Sequence, residues 1–182
     1  VDMELLREHH EGLIALSACL AGAVPRAMLD GGYDEALRTA RELQEIFGPD
    51  NFYLELQDHG LPEQNVVNQG LLRMAHETGM PLVVTNDAHY LRREDAAVQD
   101  VLMCIQMGKT VDDPDRLRFS SDEFYLKSEQ ELRERFPNVP EAFENTVKIA
   151  ERCNVTIEFG KYHLPEFKHP LGYGGYEYFE KL

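Results

Sequence analysis

Leu82-Val83-Val84-Thr85 is an unbroken apolar, β-branched run that ends abruptly at Asn86-Asp87-Ala88-His89. A strand without polar alternation has to be covered on both faces. That is the pattern of a parallel sheet beneath helices. Two further segments repeat the theme. Phe52-Tyr53-Leu54-Glu55-Leu56-Gln57 runs into Asp58-His59-Gly60, and residues 13–20 give a first strand ending near Cys19. A helical remnant around Leu5 and Leu6 precedes that strand. After it, Gly22 and Pro25 interrupt the chain, and Met28 and Leu29 lie in a short helix closed by Gly31-Gly32.

Long amphipathic helices separate the strands. Ala36, Leu37, Ala40, Leu43, Ile46 and Phe47 form one stripe, stopped by Gly48-Pro49. Pro62 opens a helix with Val66, Val67, Leu71, Met74 and Ala75 on its buried side, and Gly79 and Pro81 end it. A third helix carries Ala97, Val98, Val101, Leu102 and Ile105. Strand–helix three times over predicts an α/β fold of parallel units. Three units do not close a barrel, so the expectation is a partial barrel that lacks upstream strands. An open three-layer sheet is the alternative.

After Gly108 the pattern changes. Residues 109–123 read as a polar loop in which Lys109, Arg116 and Arg118 are solvated, and Phe124-Tyr125-Leu126-Lys127 as a short strand. Ser128-x-x-Glu131 is a capping box, and Pro140 starts a helix ending near Cys153-Asn154. From Ile157 onward, Gly160, Pro165, Pro170, Gly172, Gly174 and Gly175 mark a linker. The expected divisions are 1–108, 109–156 and 157–182. Both ends read as helices cut short, so the expectation is a piece of a longer chain.

Composition narrows the function. A net charge of −15 over 182 residues repels phosphate backbones, so this piece is not expected to grip nucleic acid by itself. There is no apolar run of about 18 residues and hence no membrane partner. Cys19, Cys104 and Cys153 are odd in number and widely spaced. That is no disulfide framework, and it suits a reducing cytoplasm. Cys104 and Cys153 fall on apolar helix faces and are expected in the core.

Parallel strands deliver their carboxyl ends to one rim. Cys19, Asp58, His59, Asp87 and His89 all lie at such ends. Thiolate, carboxylate and imidazole are the usual zinc donors, and a metal there would activate water and clamp a phosphate oxygen. Each residue also has a plainer role. Cys19 serves as a small buried apolar group, Asp87 caps a turn, and His59 and His89 are loop residues. Asp58 and His59 point to opposite faces of a continued strand, so at most one faces a metal or substrate.

Several motifs recur together in one order: Leu16-Ser17-Ala18-Cys19-Leu20-Ala21-Gly22, the segment from Phe52 to Gly60, Thr85-Asn86-Asp87-Ala88-His89-Tyr90-Leu91, Glu123-Phe124-Tyr125-Leu126-Lys127-Ser128 and Phe159-Gly160-Lys161-Tyr162-His163-Leu164-Pro165. Across nearly the whole chain they resemble the family of bacterial replicative DNA polymerase III alpha subunits. The matching region is the second half of the polymerase-and-histidinol-phosphatase (PHP) domain with the link into the polymerase core. The resemblance implies a distorted (β/α)7 barrel with a metal cluster at its strand ends. It implies Cys19, Asp87 and His89 as ligands, with Asp58 and His59 behind them or against substrate. The implied metals are divalent, zinc first, then manganese or magnesium. The implied activity is 3′–5′ exonuclease proofreading beside DNA-directed DNA synthesis by the parent chain.

The implied partners are primer-template DNA, a sliding clamp, a clamp loader and a separate exonuclease subunit. The family's early His-x-His motif, its other upstream ligands and the magnesium-binding polymerase aspartates have no match here. The piece alone is therefore expected neither to polymerise DNA nor to complete a metal cluster. Two rivals stand beside this expectation: a free-standing PHP-type phosphatase, and a silent scaffold that docks a proofreading subunit.

Overall fold

The computed structural model describes residues 1–164, 172 and 174–180. Helix α1 (Met3–Glu8) starts at Asp2, whose carboxylate accepts the Leu5 amide at 2.9 Å. Strand β1 (Ala15–Leu16) follows, then α2 (Ala23–Gly31) and α3 (Tyr33–Phe47). Gly32 is the C-cap of α2 and the N-cap of α3 at once. Its φ of 83° lets the two helices meet at a single residue. Then come β2 (Phe52–Leu56), α4 (Pro62–Thr78), β3 (Leu82–Val84) and α5 (Ala96–Met107), the last entered through a 3-10 turn at Arg93–Asp95. Helices α6 (Glu129–Arg135) and α7 (Pro140–Arg152) complete a compact unit that ends at Arg152.

The three strands form one parallel sheet in the order β1-β2-β3. Ala15 pairs with Phe52 and Leu54 with Leu82. Alternate residues of β2 divide between two environments. Phe52, Leu54 and Leu56 are fully buried. They join Leu82 and Val84 in a core with Val24 and Met28 of α2, Ala36 and Ala40 of α3, and Val67, Leu71 and Met74 of α4. Burying each large side chain contributes about 1.5–3 kcal/mol, so this layer dominates the unit. Tyr53, Glu55 and Gln57 take the opposite face. Helix α7 attaches beside β3, where Asn145 Nδ2 donates to the Leu82 carbonyl at 2.8 Å. An open β-edge acceptor is thereby satisfied.

A second unit holds residues 153–182. Its described part is irregular through Leu164 and helical in α8 (Gly175–Glu180). Pro165 and Pro170 of the expected linker, and the last two residues, lie outside the described residues.

Several expectations are corrected. β1 spans two residues rather than eight, because its ladder to β2 ends as the chain turns at Ala18. Residues 124–127 contribute a single parallel bridge, Tyr90 to Tyr125, rather than a strand. In α5 the buried residues are Met103 and Cys104, whereas Val98, Val101, Leu102 and Ile105 are exposed. The helix is held through its other side, where Asp100 pairs with Arg116 in a two-pronged bridge. Arg116 is thus largely buried and not a solvated loop cation. Val66 is exposed because α4 rests on Val67, Leu71 and Met74. Cys153 lies just past α7 and is exposed.

The capping box of α6 is present as expected. Ser128 Oγ accepts the Glu131 amide, and Glu131 Oε2 accepts the Ser128 amide at 2.8 Å. Tyr125 donates its hydroxyl to Glu131 Oε1 at 2.6 Å. The tyrosine bond leads these donors in holding the Glu131 carboxyl down to about 2, against an ordinary 4.5. A depressed carboxyl stabilises the fold fully above its unfolded pKa and loses that contribution as pH falls through the folded one. Stability should therefore decline between about pH 4.5 and about pH 2. Glu131→Gln should flatten this part of the curve, as followed by chemical denaturation across the acid range.

Candidate functional site

The rim at the carboxyl ends of the strands holds two sharp turns. At the first, Ser17 extends the β1 ladder by donating to the Tyr53 carbonyl at 2.9 Å. Ala18 then takes a φ of 65°, and Cys19 opens a turn closed by the Gly22 amide on its carbonyl at 2.8 Å. Gly22 has to lack a side chain, since a Cβ there would sit 2.3 Å from the Ser17 carbonyl oxygen. At the second, Asn86 leaves β3 and its carboxamide pairs with the Lys127 backbone. Its Nδ2 donates to the carbonyl at 3.1 Å, and its Oδ1 accepts the amide at 2.9 Å. Asp87 follows with a φ of 46°. Left-handed backbone at non-glycine residues is costly and clusters where geometry serves function.

Asp87 and His89 are brought together. Asp87 Oδ1 lies 3.4 Å from His89 Nε2, and both side chains remain partly open to solvent. The His89 ring is held edge-on to Phe124 and against Phe119, with centroids 5.5 and 4.8 Å away. Beyond Phe119 lies a cavity of about 320 Å³, lined also by Tyr90, Arg116, Arg118 and Ser120. Cys19 sits on the other turn and is half-buried. Among the described residues, no three His, Cys, Asp or Glu side chains converge as a metal-binding group. Zinc sites need at least three protein donors. The described residues therefore do not by themselves fit a metal ion, and Cys19 is not gathered with Asp87 and His89.

His59 is fully buried under the Asp87 turn. Its Nε2 donates to the Asn86 carbonyl at 2.9 Å, and its Nδ1 accepts from Gln64 Nε2 at 2.7 Å. Its own amide donates to Gln64 Oε1 at 2.7 Å, and its ring stacks on Phe124 with centroids 4.0 Å apart. Burial is the leading cause that lowers its pKa, against the pull of the Asn86 carbonyl and Asp87. The neutral Nε2–H form suits this network, because a second ring proton would face the Gln64 amide donor. Asp58 is engaged elsewhere. Its Oδ1 accepts the Gly60 amide at 2.8 Å, and its Oδ2 meets Arg135 at 3.2 Å.

A polar group on the sheet's second face was not singled out by sequence. Glu55 Oε2 accepts the Ala18 amide at 3.0 Å, and Glu55 Oε1 accepts from Thr85 Oγ1 and from Gln57 Nε2, the latter at 2.9 Å. Gln57 Oε1 is buried with no partner among the described residues. Such an orphan costs about 1–3 kcal/mol. It is tolerated because the opposite end of the amide must face an acceptor-only carboxylate. The alternation Tyr53, Glu55, Gln57 along β2 was the available signal, two acidic or amide residues on one face of an otherwise apolar strand. Lys127 is likewise buried. Desolvation lowers its amine's pKa, and its Nζ donates to the Glu123 carbonyl and lies over the Tyr125 ring.

Comparison with known proteins adds an independent line. Residues 1–59 match the model of the PHP domain. The chain is 48 % identical over 179 residues to the DNA polymerase III subunit alpha of Treponema pallidum, covering 98 % of this chain and 15 % of that protein. It is 45 % identical over 188 residues to the subunit of the same name from Thermus aquaticus, covering 100 % of this chain and 15 % of the relative. The Pseudomonas fluorescens subunit is 42 % identical over 182 residues. The chain thus spans about 15 % of the length of the relatives it matches.

His59→Ala should remove the clamp under the Asp87 turn. The loss, about 3 kcal/mol from the cavity and the stranded Gln64 amide, is read by denaturant unfolding. The lowered imidazole pKa stabilises the native chain fully above the ordinary 6.5 and is lost as pH falls below it. The variant should lack that slope.

Proposed function

This chain is homologous, along nearly its whole length, to one segment of bacterial DNA polymerase III alpha subunits, and from that premise we propose its role. The segment forms part of a PHP-type (β/α)7 barrel in a replicative DNA polymerase. Residues 1–108 supply the later barrel units, 109–156 the rest of the domain, and 157–182 a link toward the polymerase core. The parent chain synthesises DNA on a primer-template, with a sliding clamp, a clamp loader and a proofreading subunit as partners. Its place is the cytoplasm. No helix among the described residues is long and apolar enough to cross a membrane.

For the barrel itself, the role is 3′–5′ exonuclease proofreading dependent on a divalent metal, zinc before manganese or magnesium. Cys19, Asp87 and His89 are this segment's share of the ligands, and further donors come from the rest of the parent chain. The observation that carries this is the Asp87–His89 pair, 3.4 Å apart at the end of a parallel strand, on a backbone held in the left-handed region at Asp87. Asp58 and His59 act behind the pair, holding Arg135 and the Asn86 carbonyl.

A second reading is favoured by one observation. The described residues gather no three-donor group, which suits a silent scaffold that braces the polymerase or docks a separate nuclease. A free-standing phosphatase has less support, since the relatives in hand are polymerase subunits.

The test uses the full-length subunit. Metal content by elemental analysis and exonuclease activity on a mispaired primer end are compared between the native protein and Asp87→Asn. Loss of bound metal with a fall in nuclease activity of about 100-fold, at unchanged polymerase rate, supports the proofreading role. Absence of metal and of any difference between the two proteins leaves the scaffold.

A further inference from the structure

Among the described residues, Ala18 and Asp87 are the non-glycine residues with positive φ, at 65° and 46°. Both lie on the strand-end rim, on different turns. One immediately precedes Cys19 and the other precedes His89 by two residues. L-residues leave this region unless their surroundings hold them there. The two turns have no covalent link shorter than the whole β1-to-β3 excursion, so something across the sheet has to fix them.

One carboxylate on the central strand reaches both. Glu55 Oε2 accepts the amide of Ala18 itself at 3.0 Å. Glu55 Oε1 accepts the hydroxyl of Thr85, two residues ahead of Asp87. The Glu55 amide donates to Ser17 Oγ at 2.8 Å, adding a second tie to the first turn. Gln57 Nε2 donates to Glu55 Oε1 at 2.9 Å and to Thr85 Oγ1 at 3.2 Å, which braces the same junction from below. Only an ionised carboxylate offers two oxygens, each able to accept more than one donor, across this span.

We propose that Glu55 is a positioning residue: its carboxylate clasps the Ala18–Cys19 turn to the Thr85–Asp87 turn and sets how the two face each other across the rim. Both of its oxygens are engaged by donors of the protein, which gives it a positioning role in this arrangement. Its consequence for a metal rests on the ligand roles proposed above for Cys19, Asp87 and His89. The clasp itself does not.

The test is hydrogen–deuterium exchange by mass spectrometry on the full-length subunit, comparing native protein with Glu55→Ala and Thr85→Val. In Glu55→Ala, exchange should rise about tenfold in the segments 17–22 and 85–89 together, while the α4 segment 62–78 stays protected. In Thr85→Val only 85–89 should loosen. Protected α4 with either turn unchanged in Glu55→Ala overturns the clasp. If Glu55→Ala loses protection throughout, Thr85→Val decides alone, and an unchanged 85–89 segment in it overturns the clasp. Titration with manganese follows in parallel. A roughly tenfold weaker dissociation constant in a folded Glu55→Ala connects the clasp to ligand geometry. A native protein that binds no metal sinks the ligand reading and leaves the exchange result to stand or fall separately.

Discussion

The parallel pairing of β2 with β1 on one side and β3 on the other sets everything else in place. Because all three strands run the same way, their carboxyl ends emerge at one rim, although the turns they feed lie about seventy residues apart by sequence position. The main hydrophobic cluster packs on one face of the pairing, while Tyr53 and Val83 are buried on the other. Phe52, Leu54 and Leu56 are sealed against α2, α3 and α4. That layer fixes the register and, through the twofold alternation of a strand, obliges Tyr53, Glu55 and Gln57 to face the other way.

The second face is therefore where polar groups are assembled, and they are assembled at its rim end. Ser17, Glu55, Gln57 and Thr85 lie at the ends of three strands and bond to one another, with Gln57 Oε1 left unpartnered among the described residues. After β3, the Asp87 turn is gripped by the buried imidazole of His59 and by the backbone of Lys127. Two strained turns are thus supported from two directions. The strain is local, and the support is drawn from residues that the core has already fixed.

Much of this layout was legible in the sequence. The helices from Tyr33 to Phe47 and from Pro62 to Thr78, the strand from Phe52 and the capping box at Ser128 fall where periodicity and capping chemistry put them. Where the burial of apolar helix residues was misread, one reason recurs. An apolar stripe at helical spacing says that a helix has an apolar face, and it does not say what lies against that face. Val98, Val101, Leu102 and Ile105 make such a stripe on α5 and look outward, while the helix is moored through Asp100, Met103 and Cys104. Cys153 was misplaced for the same reason.

Sequence alone determined the secondary-structure alphabet, the parallel α/β class and the strand-end positions of Cys19, Asp87 and His89, because these follow from local periodicity and from where apolar runs stop. The tertiary structure decided which of those side chains meet. It joined Asp87 to His89, kept Cys19 on a separate turn, buried His59 as a neutral clamp and made Glu55 the link between the turns. These outcomes depend on backbone angles at single residues and on contacts between strands some thirty positions apart. No pattern along the chain encodes a distance of that kind.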